Sequence, residues 1–259
     1  MTRRAESAAI DVSLIVPTFR EYTFDRLLDR LLDHLAAHPL GRTEILVVDD
    51  SDDVTHAQLA DVIAQRQARL GEETTVRLMA GPRRGKGAAV RDGALAARGA
   101  IVFLMDADLP VPLHHLEVFV ALVRNGADVV IAERPRDRYR GDLVRHVVSR
   151  GLYLLQTSVV FGAKRFSDTQ CGFKAFRREV LERVARRQIV DGGMYDLEYL
   201  YAATLWHKKV LRVAVASNPE ARESRINVWR CLREDPIDIA RFKLRGIAGH
   251  YDGGGRSVD

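Results

Sequence analysis

The stretch FLMDADL, at residues 103–109, decides the fold prediction, because a short apolar run ends abruptly in two aspartates. Alternate residues of an extended chain point the same way, so Asp106 and Asp108 would present their carboxylates to one point just past the end of a strand. Oxygen ligands in that arrangement suit Mg²⁺ or Mn²⁺. The same spacing also occurs in solvated acidic turns, so the metal interpretation needs support from the rest of the chain.

Around this stretch, apolar runs of strand length alternate with amphipathic stretches of helix length. The predicted strands are Val12–Val16, Glu44–Asp49, Thr75–Met79, Ala100–Met105 and Asp128–Ala132. The predicted helices are Asp25–Ala37, Thr55–Leu70, Gly87–Arg98 and Leu113–Asn125. Strands this continuously apolar must be covered on both faces, which predicts an α/β fold with a Rossmann-like, mostly parallel sheet flanked by helices.

After residue 132 the regular alternation of predicted strands and helices ends. The predicted elements after this point are a helix at Asp142–Phe161, a strand or tight loop at Ser167–Phe176, helices at Arg177–Arg187 and Tyr195–His207, a strand at Val210–Val215 and a helix at Val228–Arg245. Residues 216–227 are polar and predicted to be mobile. We expect residues 1–245 to form a single domain and the glycine-rich residues 246–259 to form a flexible tail.

The charge distribution favours an anionic partner. Among 259 residues, 40 Lys and Arg stand against 35 Asp and Glu, and the basic residues crowd into 83–86, 134–150, 177–187 and 222–233. Such clusters suit nucleotide phosphates, a lipid phosphate or an acidic membrane surface. No helix-turn-helix, zinc-finger or aromatic RNA-binding signature accompanies them, so nucleic acid is not an expected partner.

The cysteine and histidine patterns predict neither a disulfide nor a metal centre. Cys171 and Cys231 lie far apart, which favours a reduced compartment, and the eight histidines show no convergent metal spacing. No stretch approaches the ~18 apolar residues of a membrane-spanning helix, and no signal-peptide core precedes the first strand. We therefore expect a cytoplasmic protein. The basic and apolar helix at Asp142–Phe161 fits either a core helix or peripheral contact with the inner face of the membrane.

Further candidate residues follow the other strands, where ligands of open α/β sheets bind. In EILVVDDSDD, at residues 44–53, Asp49 or Asp50 could accept a hydrogen bond from a base or a ribose, while Asp52 or Asp53 would cap the next helix. In RGKGAAV, at residues 84–90, the glycines allow close backbone approach, and a helix N-terminus with Lys86 favours phosphate. A flexible turn before a solvated helix would look similar. The spacing is not that of a P-loop.

Five motifs, taken in order along the chain, resemble those of the family 2 glycosyltransferases. They are VPTFRE, EILVVDDSDD, RGKGAAVRDGALAARG, FLMDADL and SDTQCGFKAFRRE. Within that family they are most similar to the dolichyl-phosphate glucose and mannose synthases, over residues 13–242. The resemblance implies a GT-A fold of the nucleotide-diphospho-sugar transferase type and an inverting transfer. It further implies UDP-glucose or GDP-mannose as donor, a polyprenyl phosphate as acceptor, and Mg²⁺ or Mn²⁺ held by Asp106 and Asp108.

The resemblance also assigns roles by position. Donor binding falls to Pro17, Thr18, Glu21, Asp49, Asp50, Lys86, Asp106, Ala107, Asp108, Arg222 and Arg225. Acceptor binding falls to Arg145, and Lys164, Arg165 or Arg177 would supply the charge that mannosyl synthases often carry at the position of Ser167. Two departures from the family pattern concern the donor loops: Arg20 replaces the usual asparagine, and Leu109 replaces the usual glycine after the aspartate pair.

Three residues are candidates for a general base. A phosphate acceptor is already anionic near neutral pH and needs none. A hydroxyl acceptor would need one, and the candidates are Asp168, Asp196 and Glu198, although the last two could equally be surface charges on a helix. The alternatives to a polyprenyl-phosphate transferase are a glycosyltransferase with a soluble acceptor, a sugar nucleotidyltransferase on a similar sheet, and a non-catalytic subunit that binds nucleotide sugars.

Overall fold

The chain folds around one seven-stranded sheet. The computed structural model describes residues 9–134, 158–162, 166, 168–216 and 228–252, with the backbone alone at 228–232. The strands are β1 (Val12–Thr18), β2 (Thr43–Asp49), β3 (Thr74–Ala80), β4 (Ile101–Met105), β5 (Val129–Glu133), β6 (Phe173–Arg177) and β7 (Val210–Ala214). Their order across the sheet is β3-β2-β1-β4-β6-β5-β7.

The helices cover both faces of this sheet. They are α1 (Phe24–Ala37), α2 (Asp53–Gln65), α3 (Lys86–Ala96), α4 (His115–Arg124), α5 (Arg178–Ala185), α6 (Tyr195–Leu205) and α7 (Val228–Ile247), with a 3-10 turn at Gln67–Arg69. Residues 158–161 are also helical, and they are the described end of the helix predicted at Asp142–Phe161. Among the described residues, no helix is long and apolar enough to cross a membrane.

Two hydrophobic clusters lie on opposite faces of the sheet. In β1, Leu14 and Val16 belong to the cluster that contains α1 and α4, whereas Ile15 belongs to the cluster that contains α3, α5 and α6. This alternation is the one expected of a strand buried on both faces. The α/β fold class predicted from the continuous apolar runs is therefore confirmed.

Among the strands in the described residues, β6 alone runs antiparallel to its neighbours. It pairs antiparallel with both β4 and β5, while the pairings of β1 with β2, β2 with β3, β1 with β4 and β5 with β7 are parallel. Phe173 lies opposite Met105, and Arg177 lies opposite Ile101. The chain just before β6 therefore lies at the carboxyl edge of β4, beside the aspartate pair.

The C-terminal segment differs from the sequence prediction, which places a flexible tail from Gly246 onward. The helix α7 continues to Ile247, and Tyr251 is completely buried. Its hydroxyl donates to Glu198 at 2.6 Å, and its carbonyl accepts from Trp206 Nε1 at 2.9 Å. Residues 246–252 therefore pack onto the core, because the Tyr251 ring is buried among apolar side chains and its hydroxyl group donates to the Glu198 carboxylate.

Candidate active site

The aspartate pair follows β4 at the carboxyl edge of the sheet. This edge also carries the ends of β1 and β2, where Thr18 and Asp49 are direct neighbours in the register. The backbone N–H of Asp106 donates to the carbonyl of Gly172 at 2.9 Å, which fixes the first turn after β4. The loops after β1, β2 and β4 thus meet at one rim, as the position of ligands in open α/β sheets requires.

Lys86 reaches this rim from the first residue of α3. Its ammonium group forms an ion pair with Asp106. Burial by itself disfavours both charged groups, but each charge stabilises the other, so the pKa of Asp106 is lowered and the pKa of Lys86 is raised. Lys86 therefore stays positive beside the helix N-terminus, where a phosphate group would be bound favourably.

Asp108 differs from Asp106 because no ion pair joins it to a basic side chain in the part of the chain that the structure describes. Its Oδ1 is buried and has no hydrogen-bond partner among the described residues. Burial and the neighbouring charge of Asp106 raise the pKa of Asp108. A second carboxylate kept this close to Asp106, with an unsatisfied buried oxygen, is the donor set that a hard divalent cation prefers. The residues present therefore fit the metal that the sequence predicts.

Gly172 makes room for the Asp106 carboxylate. A side chain at this position would overlap that carboxylate, because the chain before β6 passes directly beside it. In the sequence, Gly172 is only one letter of the motif SDTQCGFKAFRRE, because the carboxylate that it contacts lies far away along the chain. Cys171, just before it, is completely buried, and burial raises the pKa of its thiol to about 12, so it is not a nucleophile near neutral pH.

The two aspartates after β2 hold the neighbouring loops. Asp49 is buried and accepts from the hydroxyls of Thr18 at 3.0 Å and Ser51 at 2.7 Å. Asp50 accepts from the backbone N–H groups of Arg83 at 2.5 Å and Gly85 at 3.0 Å, which positions the turn that leads to Lys86. Their contact with a base or ribose remains a prediction.

The other residues predicted for this rim also have structural roles. Asp52 caps α2 by accepting from the backbone N–H of Thr55 at 2.9 Å, as predicted for this position. Glu21 accepts from the hydroxyl and backbone N–H of Thr23, in the turn before α1. Pro17, at the end of β1, and Ala107, between the two aspartates, are both half-buried at the same edge.

Arg134 is a residue of this region that sequence reasoning did not single out. It follows β5, and its guanidinium donates to both oxygens of Asp168 at 2.5 and 3.1 Å. Asp168, a candidate base, is therefore a salt-bridge partner that connects β5 to the segment before β6. The pairing spans 34 residues, so no local sequence signal could have revealed it.

Two predictions about charged residues are wrong. Arg177 lies opposite Ile101, at the start of β4 and thus at the other edge of the sheet from Asp106, because β6 is antiparallel. Its side chain donates to the carbonyls of Ala127 at 3.0 Å and Val123 at 3.2 Å, so it does not reach an acceptor at the rim. The other basic residues predicted for the acceptor and diphosphate, Arg145, Lys164, Arg165, Arg222 and Arg225, lie outside the described residues.

The second error concerns Asp196 and Glu198, which are not surface charges. Asp196 accepts from the buried ammonium of Lys174 at 2.6 Å. Glu198 is completely buried and accepts from the backbone N–H groups of Ile189 at 2.7 Å and Val190 at 2.9 Å. Each carboxylate thus has an internal partner in the core around α6, which identifies a structural role for both.

The chain is similar in sequence to known glycosyltransferases. The family model described as Glycosyl transferase family 2 matches residues 13–185. A dolichyl-phosphate beta-glucosyltransferase of Drosophila melanogaster is 30% identical over 226 residues, covering 81% of this chain and 68% of the relative. The corresponding protein of Dictyostelium discoideum is 28% identical, and the match covers 80% of this chain but only 64% of that relative's length.

Solved structures agree on the fold. Glucosyl-3-phosphoglycerate synthase of Mycobacterium tuberculosis, in complex with Mn²⁺, UDP-glucose and glycerol 3-phosphate, superposes with a TM-score of 0.57 at 17% identity. The superposition covers 96% of this chain and 83% of that one. At this identity the likeness shows the GT-A fold alone. With the match over residues 13–185 and the motifs gathered at the rim of the sheet, the chain belongs to glycosyl transferase family 2.

Proposed function

We propose that this chain transfers glucose from a nucleotide diphosphate sugar to a polyprenyl phosphate. The relatives named as dolichyl-phosphate beta-glucosyltransferases support the sugar and the acceptor class. The structural neighbour with Mn²⁺ and UDP-glucose supports testing UDP-glucose first, with GDP-mannose as the comparison. The proposed catalytic unit is a single GT-A domain that includes the packed segment up to residue 252.

The observation that carries the proposal is the geometry of Asp106, Asp108 and Lys86. Two carboxylates stand beside a lysine at a helix N-terminus, and one of them has a buried oxygen without a hydrogen-bond partner among the described residues. A divalent cation held by Asp106 and Asp108 would neutralise the negative charge that develops on the departing nucleoside diphosphate. Lys86 would bind a phosphate oxygen of the donor, for which its ion pair with Asp106 must open.

The remaining donor residues would orient the nucleoside. Asp49 is rigidly held by two hydroxyl groups, and Asp50 fixes the turn before Lys86. A pocket whose polar groups are held in this way is pre-organised, so little ordering is needed when the donor binds. Arg222 and Arg225 are proposed to close over the diphosphate, and Arg145 and Lys164 to bind the acceptor phosphate.

No general base is required for this acceptor. The nucleophile is a phosphate oxygen that is already anionic near neutral pH. Asp168 is engaged with Arg134 through two hydrogen bonds, which disfavours it as a proton acceptor. Because a polyprenyl phosphate is a membrane lipid, we infer that the protein acts in contact with the inner face of the membrane.

The test is glucose transfer from UDP-glucose to a short-chain polyprenyl phosphate, measured in the presence of Mg²⁺ or Mn²⁺. We expect product formation that stops with EDTA and resumes when Mn²⁺ is added in excess. Asp108→Asn should lower kcat by roughly 100-fold or more, comparable with the loss of one electrostatic contact to a transition state. The matched control is Asp61→Asn, an exposed aspartate on α2, which should leave turnover unchanged.

Two outcomes would contradict the proposal in different ways. Undiminished transfer by Asp108→Asn, or full activity in EDTA, would exclude the metal role of the aspartate pair. Transfer to a soluble phosphorylated or hydroxyl acceptor without any transfer to the lipid phosphate would keep the family assignment but exclude the proposed acceptor. Release of pyrophosphate from a nucleoside triphosphate and a sugar phosphate would instead identify a nucleotidyltransferase.

A further inference from the structure

Two histidines at the C-terminal end of α1 and one glutamate on α4 converge outside the site described above. His34 lies in the last turn of α1, and His38 directly follows the end of that helix. Their rings stack with centroids 4.8 Å apart, so the two side chains lie together. Glu117 lies in the first turn of α4, which packs on the same side of the sheet as α1. One potential ligand atom from each of the three residues lies within 4.8 Å of the other two. None of these residues belongs to the proposed donor site.

The polar atoms of this cluster lack the partners that buried groups normally have. His34 Nε2 and Glu117 Oε2 are both buried without a hydrogen-bond partner among the described residues. Glu117 Oε1 lies 3.2 Å from His34 Nε2, but this pair is an ion pair only when the imidazole is protonated. Unsatisfied buried polar atoms are rare in proteins, and one explanation for them is an ion.

The ligand chemistry points to zinc. Neutral imidazole nitrogens and a carboxylate oxygen are standard zinc ligands, at about 2.0–2.2 Å from the metal. Three protein ligands leave the fourth tetrahedral position for water, and the exposed edge of His38 gives access from solvent. In a tetrahedral site the ligand atoms would be about 3.4 Å apart, so atoms that now lie up to 4.8 Å apart would have to move closer together when the ion binds.

We propose that His34, His38 and Glu117 form a Zn²⁺ site that links α1 to α4. The simpler explanation is that the two histidine rings stack on each other, with centroids 4.8 Å apart, and that a protonated His34 pairs with Glu117 at 3.2 Å. That arrangement still leaves Glu117 Oε2 buried without a hydrogen-bond partner among the described residues, whereas a bound ion would satisfy it. This proposal departs from the sequence expectation that the histidines show no convergent metal spacing.

The experiment titrates the EDTA-treated full-length chain with Zn²⁺ in competition with a chromophoric chelator. We expect one zinc per chain at this site, and a higher melting temperature when zinc is bound. His34→Gln, His38→Gln and Glu117→Gln should each lower the affinity for zinc by about 100-fold or more. Even substitutions of residues that only contact the metal ligands lower metal affinity by about 10–100-fold. His38 is exposed, so His38→Gln tests the site with little risk to folding.

Two controls separate this site from the aspartate pair. Asp108→Asn should leave the tight zinc site intact, and X-ray absorption of that variant with one equivalent of zinc should show imidazole ligands. His207→Asn changes an exposed histidine whose φ of +53° suits asparagine, and it should bind zinc as the wild type does. The proposal is overturned if His34→Gln and Glu117→Gln retain wild-type zinc affinity, or if zinc binding disappears only in Asp108→Asn.

Discussion

At the scale of single residues, the metal-binding role proposed for Asp108 comes with a cost in stability. Burial and the charge of Asp106 raise its pKa, so the folded chain holds a proton there at a higher pH than the unfolded chain. Without metal, ionised Asp108 is therefore destabilising above the raised pKa, and that penalty is relieved as the pH falls through it. Asparagine removes the penalty at neutral pH.

We expect metal-free Asp108→Asn to be more stable than the wild type by about 0.5–1 kcal/mol at pH 7, as for other substitutions that relax a functional site. Denaturant unfolding at pH 7 in EDTA measures this difference, which should shrink as the pH approaches the ordinary aspartate value. Excess Mn²⁺ should reverse the order by stabilising only the wild type. Equal stabilities at pH 7 in EDTA would show that the Asp108 charge carries no penalty in the folded state.

The two departures from the family pattern, Arg20 and Leu109, both lie at positions with an unusual backbone conformation. Arg20 and Leu109 both adopt positive φ, at +49° and +47°. Asparagine and glycine, the residues expected there from the family, are the ones that tolerate this backbone region best. The sequence therefore identifies both positions correctly as unusual, but their backbone conformation is visible only in the folded loops after β1 and β4.

At the scale of elements, the close passage of the chain before β6 past β4 sets the position of Asp106. Gly172→Ala would place a methyl group against the Asp106 carboxylate and rotate it away from the metal position. We expect kcat/KM for glucose transfer to fall roughly 100-fold, which is the usual cost of a displacement of about 1 Å in an active site. The melting temperature should change little, because the displaced group is a half-exposed side chain.

Gly71→Ala is the matched control for that substitution. Gly71 lies in the turn before β3, and a Cβ there would meet no atom within 4 Å. Its kcat/KM should equal that of the wild type. A Gly172→Ala enzyme with full activity would contradict the position assigned to Asp106, and one that fails to fold would instead indicate a backbone conflict.

The elements also show where sequence patterns predict well and where they do not. Apolar runs predict β1, β2 and β4 nearly to the residue, because each strand is buried on both faces and its length is set by the sheet. The direction of β6 is not encoded in its own five residues, since the same alternation fits either direction. Only the pairing with β4 and β5 fixes it, and this pairing moves Arg177 to the opposite edge from Asp106.

At the scale of the whole molecule, contacts between distant segments explain what the sequence did not predict. Asp196 pairs with Lys174, and Glu198 binds the backbone at Ile189 and Val190 as well as the hydroxyl of Tyr251. A charged residue in a helix is usually exposed, so a buried one is recognisable only after its partner has been located. Asp196 and Glu198, two candidate bases in the sequence, are thus buried side chains of the core.

The packing of the C-terminal segment, residues 246–252, can be tested by substitution of Tyr251, the side chain through which the segment contacts the core. Tyr251→Ala should lower the free energy of unfolding by about 3–5 kcal/mol, as for other large aromatic truncations in a core. Tyr251→Phe should cost about 1–3 kcal/mol, since it removes only the hydrogen bond to Glu198. Leu244→Gln, at a side chain that is 66% exposed on α7, should remain within about 0.5 kcal/mol of the wild type in the same denaturant titrations. If Tyr251→Ala unfolds at the wild-type denaturant concentration, the segment contributes nothing to the core, and the flexible tail does begin at Gly246.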